Sequence, residues 1–261
     1  MSVGVTIINT EEQPMTEKQA RETTRPPGLH LMAMELRVPL EILSTLALWP
    51  LLTARARGDG HPVLVFPGLV ASDRSTFVLR RFLQAQGYSV YCWDMGRNIG
   101  PQPGVMEACL KRIDELRAQH GRKVSLVGWS LGGLFARELA KLRPDDVRAV
   151  VTLGSPFAGP ESASNARGIY RYFNPSKGEG ADEFPNLKHA PSMPTTSIYS
   201  RSDGIVAWSS CIQYDNPHTE NIAVHASHVG MGMNPMALRV LADRLAQPEG
   251  AWQPYRRSNA D

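Results

Sequence analysis

Between residues 61 and 245, short apolar runs rich in β-branched residues alternate with longer stretches of helical periodicity. That alternation narrows the open folds more than any other feature of the chain. The runs fall at 63–66, 88–93, 124–128, 148–153, 195–199 and 222–224. Helices are expected at 74–85, 105–119, 131–142 and 235–245, the third carrying Leu134, Phe135, Leu139 and Leu142 at the spacing of one helix face. Strands joined by helices of this length need crossover connections, so the expected fold class is α/β, a mostly parallel sheet with helices on both faces. Ligands of such sheets bind beyond the carboxyl ends of the strands. Chemistry is therefore sought at those ends.

One junction stands out. The run at 124–128 ends in Gly128-Trp129-Ser130-Leu131-Gly132, directly before a helical stretch. A serine at a sharp strand-to-helix turn sits in strained backbone with its hydroxyl exposed, and flanking glycines let the chain pass without side-chain clashes. The bare G-x-S-x-G pattern arises by chance in roughly one chain in eight of this length and composition, so its weight depends on partners elsewhere. A serine hydroxyl needs a histidine base, and usually a carboxylate to orient that base. In this arrangement the chain order is serine, acid, histidine.

Asp203, in Ser202-Asp203-Gly204-Ile205-Val206, follows the run at 195–199 on a turn at a strand's carboxyl end. Asp145 and Asp146 lie between a helix and a strand at the opposite edge, and Asp215 lies in a Pro/Asn-rich loop. For the base, His228 in Ala226-Ser227-His228-Val229-Gly230 occupies the loop between the last strand and the closing helix, whereas His225 sits at the strand end. His218 and His189 fall in other loops. Two backbone N–H donors must meet the developing oxyanion. Leu131 supplies one from the start of its helix, and Leu69 the other if Gly68 lets the loop Phe66-Pro67-Gly68-Leu69-Val70 swing inward; a plain Pro-Gly turn is the alternative. Gly68 is also a candidate for close approach to substrate. Gly96-Arg97-Asn98 either approaches a polar group of the substrate or forms a turn held by arginine hydrogen bonds. Trp129, Trp208 and Met231 are candidate lining residues of an acyl pocket, with ordinary core packing as the alternative.

The net charge of +3 is not gathered into a Lys/Arg stripe interleaved with aromatics, which argues against nucleic-acid binding. No P-loop, dinucleotide glycine fingerprint, His-Glu-x-x-His or paired-cysteine motif occurs, so neither a nucleotide cofactor nor a metal is expected. Cys92, Cys109 and Cys211 are odd in number and lack C-x-x-C spacing. They suggest reduced thiols, and with no secretory signal visible the expected setting is cytoplasmic.

Residues 1–27 read as a flexible arm and 28–57 as a helical region, interrupted or kinked at Pro39 and Pro50, packed on the core. Residues 58–247 form the main domain and 248–261 a tail. Within the main domain, 158–194 breaks the alternation and carries Tyr170, Tyr172, Phe173 and Phe184, as a cap would. The nearly all-apolar stretch 42–52 is too short to span a bilayer. It reads as a helix packed on the main domain, with membrane-surface attachment or a dimer contact as alternatives.

With these pieces assembled, the chain resembles the α/β-hydrolase superfamily, closest to bacterial lipases and esterases. The resemblance is carried by Phe66-Pro67-Gly68-Leu69, Gly128-Trp129-Ser130-Leu131-Gly132-Gly133, Leu153-Gly154-Ser155-Pro156-Phe157-Ala158-Gly159, Ser202-Asp203-Gly204-Ile205-Val206 and Ser227-His228-Val229-Gly230-Met231. It implies a carboxylic-ester hydrolase with a Ser130-Asp203-His228 triad, an acyl-enzyme, no cofactor, and a small-molecule ester or lipid substrate with a hydrophobic acyl group. An acyltransferase or thioesterase would use the same triad, and a non-catalytic binding module is the remaining alternative. Two departures stand against the pattern: Pro67-Gly68 replaces the His-Gly of many lipases, and a helical region replaces the family's early strands.

Overall fold

The computed structural model describes residues 6–7, 25–54, 58–159, 163–174, 184, 187–213 and 217–256. In chain order the elements are β1 (Thr6–Ile7), α1 (Leu29–Met34), α2 (Val38–Thr53), β2 (Pro62–Phe66), α3 (Phe77–Ala85), β3 (Ser89–Cys92), α4 (Val105–His120) and β4 (Val124–Trp129). Then follow α5 (Leu131–Leu142), β5 (Val147–Leu153), α6 (Arg167–Phe173), β6 (Thr195–Tyr199), β7 (Thr219–Ala223) and α7 (Pro235–Leu245). The sheet order is β1-β7-β6-β5-β4-β2-β3. Strands β2 to β7 run parallel, and β1 adds an antiparallel edge through Thr6↔Ala223 and Ile7↔Ile222.

Side-chain alternation along the strands sorts the core onto two faces. Val63 and Val65 of β2 join Val127 and Trp129 of β4 in one buried layer with α3 and α7. Leu64 and Phe66 join Val124 and Leu126 in the other, beneath α4 and α5. This is the expected α/β sheet covered on both sides.

Several boundaries differ from the sequence expectation for local reasons. The helix expected from residue 74 begins at Phe77, because Ser75 and Thr76 first turn back on the Ser72 and Asp73 carbonyls. The last parallel strand starts three residues earlier than its apolar run, at Thr219. Its polar half pairs with Thr195 and Thr196, and Glu220 is held by Arg244 of α7, so a hydrophobic pattern could not reveal it.

The N-terminal helical region breaks at a 3-10 turn, Glu35–Arg37, rather than at either proline. Pro39 sits in the first turn of α2, where its missing N–H costs nothing, and Pro50 lies near the helix end. One side of α2 docks on the main domain: Glu41 and Thr45 are buried, Thr45 Oγ1 donates to the Met233 carbonyl at 2.5 Å, and Trp49 and Leu52 pack on the core. The opposite side leaves Leu40, Leu43, Leu46, Leu48 and Leu51 exposed.

Of the expected arm at 1–27, only 6–7 and 25–27 are described. Of the expected cap at 158–194, residues 160–162, 175–183 and 185–186 lie outside the described residues, as do 55–57 and 257–261. The described remainder of the cap is fixed to the core. Phe184 and Met193 join the core beside Phe135 and Phe157. The fully buried Arg137 of α5 donates to the Leu187 and His189 carbonyls at 3.0 and 3.1 Å, with its guanidinium 3.8 Å from the Phe157 ring centre.

Candidate active site

Ser130 stands between β4 and α5 with φ 53° and ψ −121°, a left-handed backbone that a non-glycine residue adopts only when its surroundings impose it. Here the imposition is visible. The Ser130 amide donates to the Leu153 carbonyl of β5, and the first turn of α5 lies so close to the preceding loop that a side chain at Gly132 would strike the Phe66 and Pro67 carbonyls.

The turns after β6 and β7 bring the other two groups to it. The Asp203 carboxylate accepts from the Ile205 and Val206 amides through Oδ1, both at 2.8 Å, which leaves Oδ2 free to face His228. His228 Nδ1 lies 2.7 Å from Asp203 Oδ2, and His228 Nε2 lies 3.0 Å from Ser130 Oγ. A carboxylate only accepts, so Nδ1 carries the proton and Nε2 is left to accept from the serine hydroxyl. Both Asp203 and His228 are buried. Burial alone would push the imidazole down, but the Asp203 charge and hydrogen bond, joined by the Glu35 charge, raise it above the ordinary histidine value.

The loop after β2 passes directly over the serine. A Cβ at Gly68 would lie 3.3 Å from Ser130 Cβ, closer than neighbours usually allow. Beside it, the Leu131 amide is one of the helix-terminal donors that no intrahelical carbonyl can satisfy. Among the described residues neither the Leu69 nor the Leu131 amide has a hydrogen-bond partner. Val70, next in the loop, is held at φ 52°, a strained setting for a β-branched residue.

Gly96-Arg97-Asn98 supplies the restraint for that strain, so it holds the loop rather than approaching a substrate. The buried Asn98 side chain donates to the Pro67 carbonyl at 2.7 Å, its backbone exchanges hydrogen bonds with Val70 and Ala71, and Arg97 donates to the Val70 carbonyl.

The three candidate pocket residues, Trp129, Trp208 and Met231, are each packed against protein neighbours. Trp129 and Met231 are packed in the core beneath the sheet face, and the Trp129 indole donates to the His228 carbonyl at 3.0 Å. Trp129 thus holds the histidine loop rather than lining an open acyl surface. Trp208 stacks on Tyr199, 5.9 Å between ring centres, with the Arg201 guanidinium 4.7 Å from its own ring centre. These partners occupy it on the β6 side of the sheet.

Asp146, His225 and His189 are engaged elsewhere. Asp146 pairs with Arg117 before β5, the His225 carbonyl receives Asn234, and the His189 carbonyl receives Arg137. Asp215 lies outside the described residues. Among the described residues, Asp73, Cys92 and Asp94 come close enough to share a metal ion. Asp73 is already committed to the Trp93 and Asp94 amides.

The residues that sequence reasoning passed over lie in the N-terminal helical region. Glu35 accepts from Gly204, His228 and Val229, while Glu41 accepts from the amide and hydroxyl of Ser227. Arg37 donates to Glu41 and to Ser202. The available signal was their placement: charged side chains in an otherwise apolar segment are costly unless something inside receives them.

A family model described as the alpha/beta hydrolase fold matches residues 61–179. Two triacylglycerol lipases, from Pseudarthrobacter phenanthrenivorans and Burkholderia plantarii, are each 31% identical over 121 residues. Each match covers 42% of this chain, and 38% and 34% of the respective relative, so the chain spans little more than a third of their length. Among solved structures, Aspergillus fumigatus lipase B superposes with a TM-score of 0.56 at 20% identity, covering 76% of this chain and 56% of that one. Bacillus licheniformis lipase BlEst2 in its propeptide form gives 0.53 at 16% identity, covering 77% and 52%. At such identities the structural likeness speaks for the fold alone. The chain has the α/β-hydrolase fold and is similar to triacylglycerol lipases over part of its length.

Proposed function

We propose that the protein hydrolyses carboxylic esters with a hydrophobic acyl group, using Ser130 as nucleophile, His228 as general base and acid, and Asp203 as the orienting carboxylate. The observation that carries this reading is the hydrogen-bonded line from Ser130 Oγ through His228 to Asp203 Oδ2, with segments of 3.0 and 2.7 Å. His228 Nε2 takes the serine proton as Oγ attacks the ester carbonyl, and the Leu69 and Leu131 amides receive the negative charge that gathers on oxygen. The tetrahedral species collapses as His228 returns the proton to the departing alcohol. Water then repeats the sequence on the acyl-enzyme and releases the acid. Asp203 orients the imidazole and stabilises the imidazolium through the hydrogen bond from Nδ1.

The matched relatives are named as triacylglycerol lipases, and a lipid ester is the substrate class we favour. The outer stripe of α2 supports that choice. Leu40, Leu43, Leu46 and Leu51 are each more than half exposed, and Glu41 beside Leu40 points inward. An exposed leucine stripe of this kind suits an apolar lipid phase.

Release of p-nitrophenol from short-chain esters tests the chemistry. Ser130→Ala is expected to lower kcat by about 10⁴-fold or more at unchanged melting temperature. Equal rates for the two proteins would overturn the proposal.

A further inference from the structure

We propose that Glu35 is a positioning residue for His228, its single carboxylate tying the acid loop and the base loop to each other. The proposal rests on His228 serving as the base. Glu35 Oε1 accepts from the Gly204 amide at 2.8 Å and from the His228 amide at 2.9 Å, and Oε2 accepts from the Val229 amide at 3.0 Å. Gly204 adjoins Asp203, so one side chain fixes both the residue that orients the imidazole and the backbone that bears it. The two loops leave the sheet from adjacent strands, and nothing in the sheet ladder itself sets their separation beyond the strand ends. Three amide hydrogen bonds accepted by one carboxylate make a stiff link between the two loops.

The link also has an electrostatic side. The charged groups around His228 are Asp203 and Glu35 directly, Glu41 through Ser227, and Arg37, which is engaged with Glu41 and Ser202. The buried Cys211 thiol lies behind Asp203, and burial followed by the Asp203 charge keeps it protonated. Glu35 therefore adds a second negative charge on the side of the imidazolium.

His61 shows the contrast. It too is buried against a carboxylate, Asp59, yet burial first and then nearby Arg148 and Arg122 bring it down to about 4. At His228 the neighbouring Arg37 guanidinium is paired with Glu41.

A neutral imidazole is the working base, so kcat/KM rises with pH as His228 loses its proton. Removing the Glu35 charge makes the imidazolium less stable, and the acid limb must move to lower pH. Glu35→Gln is expected to shift that limb down by about half a pH unit and to lower plateau kcat/KM by about 10-fold. Glu35→Asp keeps the charge but shortens the reach, so it should lower the plateau while leaving the limb near its wild-type position. If Glu35→Gln melts too early to assay, the Asp variant decides alone: an unchanged plateau would overturn the proposal. A Glu35→Gln profile superimposable on wild type would do the same. Ser130→Ala measured alongside separates the two levels, since activity persisting in that protein refutes the triad itself.

Discussion

Gly68 marks how tightly the backbone closes around the nucleophile. A methyl group there would sit 3.3 Å from Ser130 Cβ, too near to accept without moving one partner by a few tenths of an ångström. Because the Ser130 backbone is pinned at φ 53° between two elements, the loop carrying Leu69 is the part that yields. Gly68→Ala should therefore reduce kcat by about 10- to 100-fold with little change in KM, since a displaced amide is felt most where charge develops. Steady-state kinetics beside a thermal melt checks this; a large rise in KM at constant kcat would show that the loop acts in binding instead. At this scale the sequence was readable wherever chemistry restricts the choice of residue. Ser130, Asp203 and His228 stand at strand ends in an order that a triad requires. Glu35 was not readable, because a carboxylate that accepts backbone amides has no partner motif, only a place in space.

Helix α2 explains why an element can be legible in kind and ambiguous in role. It is apolar nearly all the way round, so helical periodicity could not say which side faces inward. The structure settles the inner side with Thr45, Trp49 and Leu52, and leaves a row of leucines outside. Burial of one leucine side chain stabilises by about 1.5–3 kcal/mol. Replacing Leu40, Leu43 and Leu51 with Gln should therefore lower partitioning onto phosphatidylcholine-coated triolein droplets by 10-fold or more, with melting temperature held. Flotation of wild type and variant measures it. Equal partitioning would contradict the lipid-facing role, and a wild-type dimer dissolved by the same substitutions would reassign the stripe to a second copy of the chain. The described part of the expected cap is fixed to the core through Phe184 and Met193, beside the carbonyls to which Arg137 donates.

For the molecule as a whole, alternation of strands and helices was enough to predict the parallel part of the sheet, since crossover geometry leaves few other arrangements, though not the antiparallel edge strand β1. What alternation could not show is how the N-terminal region joins the rest. It reaches across the ends of β6 and β7, so residues 35 and 228 are separated by most of the chain and by 2.9 Å in space. The protein is thereby organised as a sheet that presents three groups and an outer helical brace that keeps two of them aligned. Every one of these contacts bears on the reactivity of Ser130. The most direct measurement is peptide mapping by mass spectrometry after brief exposure to a fluorophosphonate. We predict a single stoichiometric adduct on Ser130, slowed by His228→Ala and absent in Ser130→Ala; an unlabelled protein, or an adduct on another residue, would contradict the account.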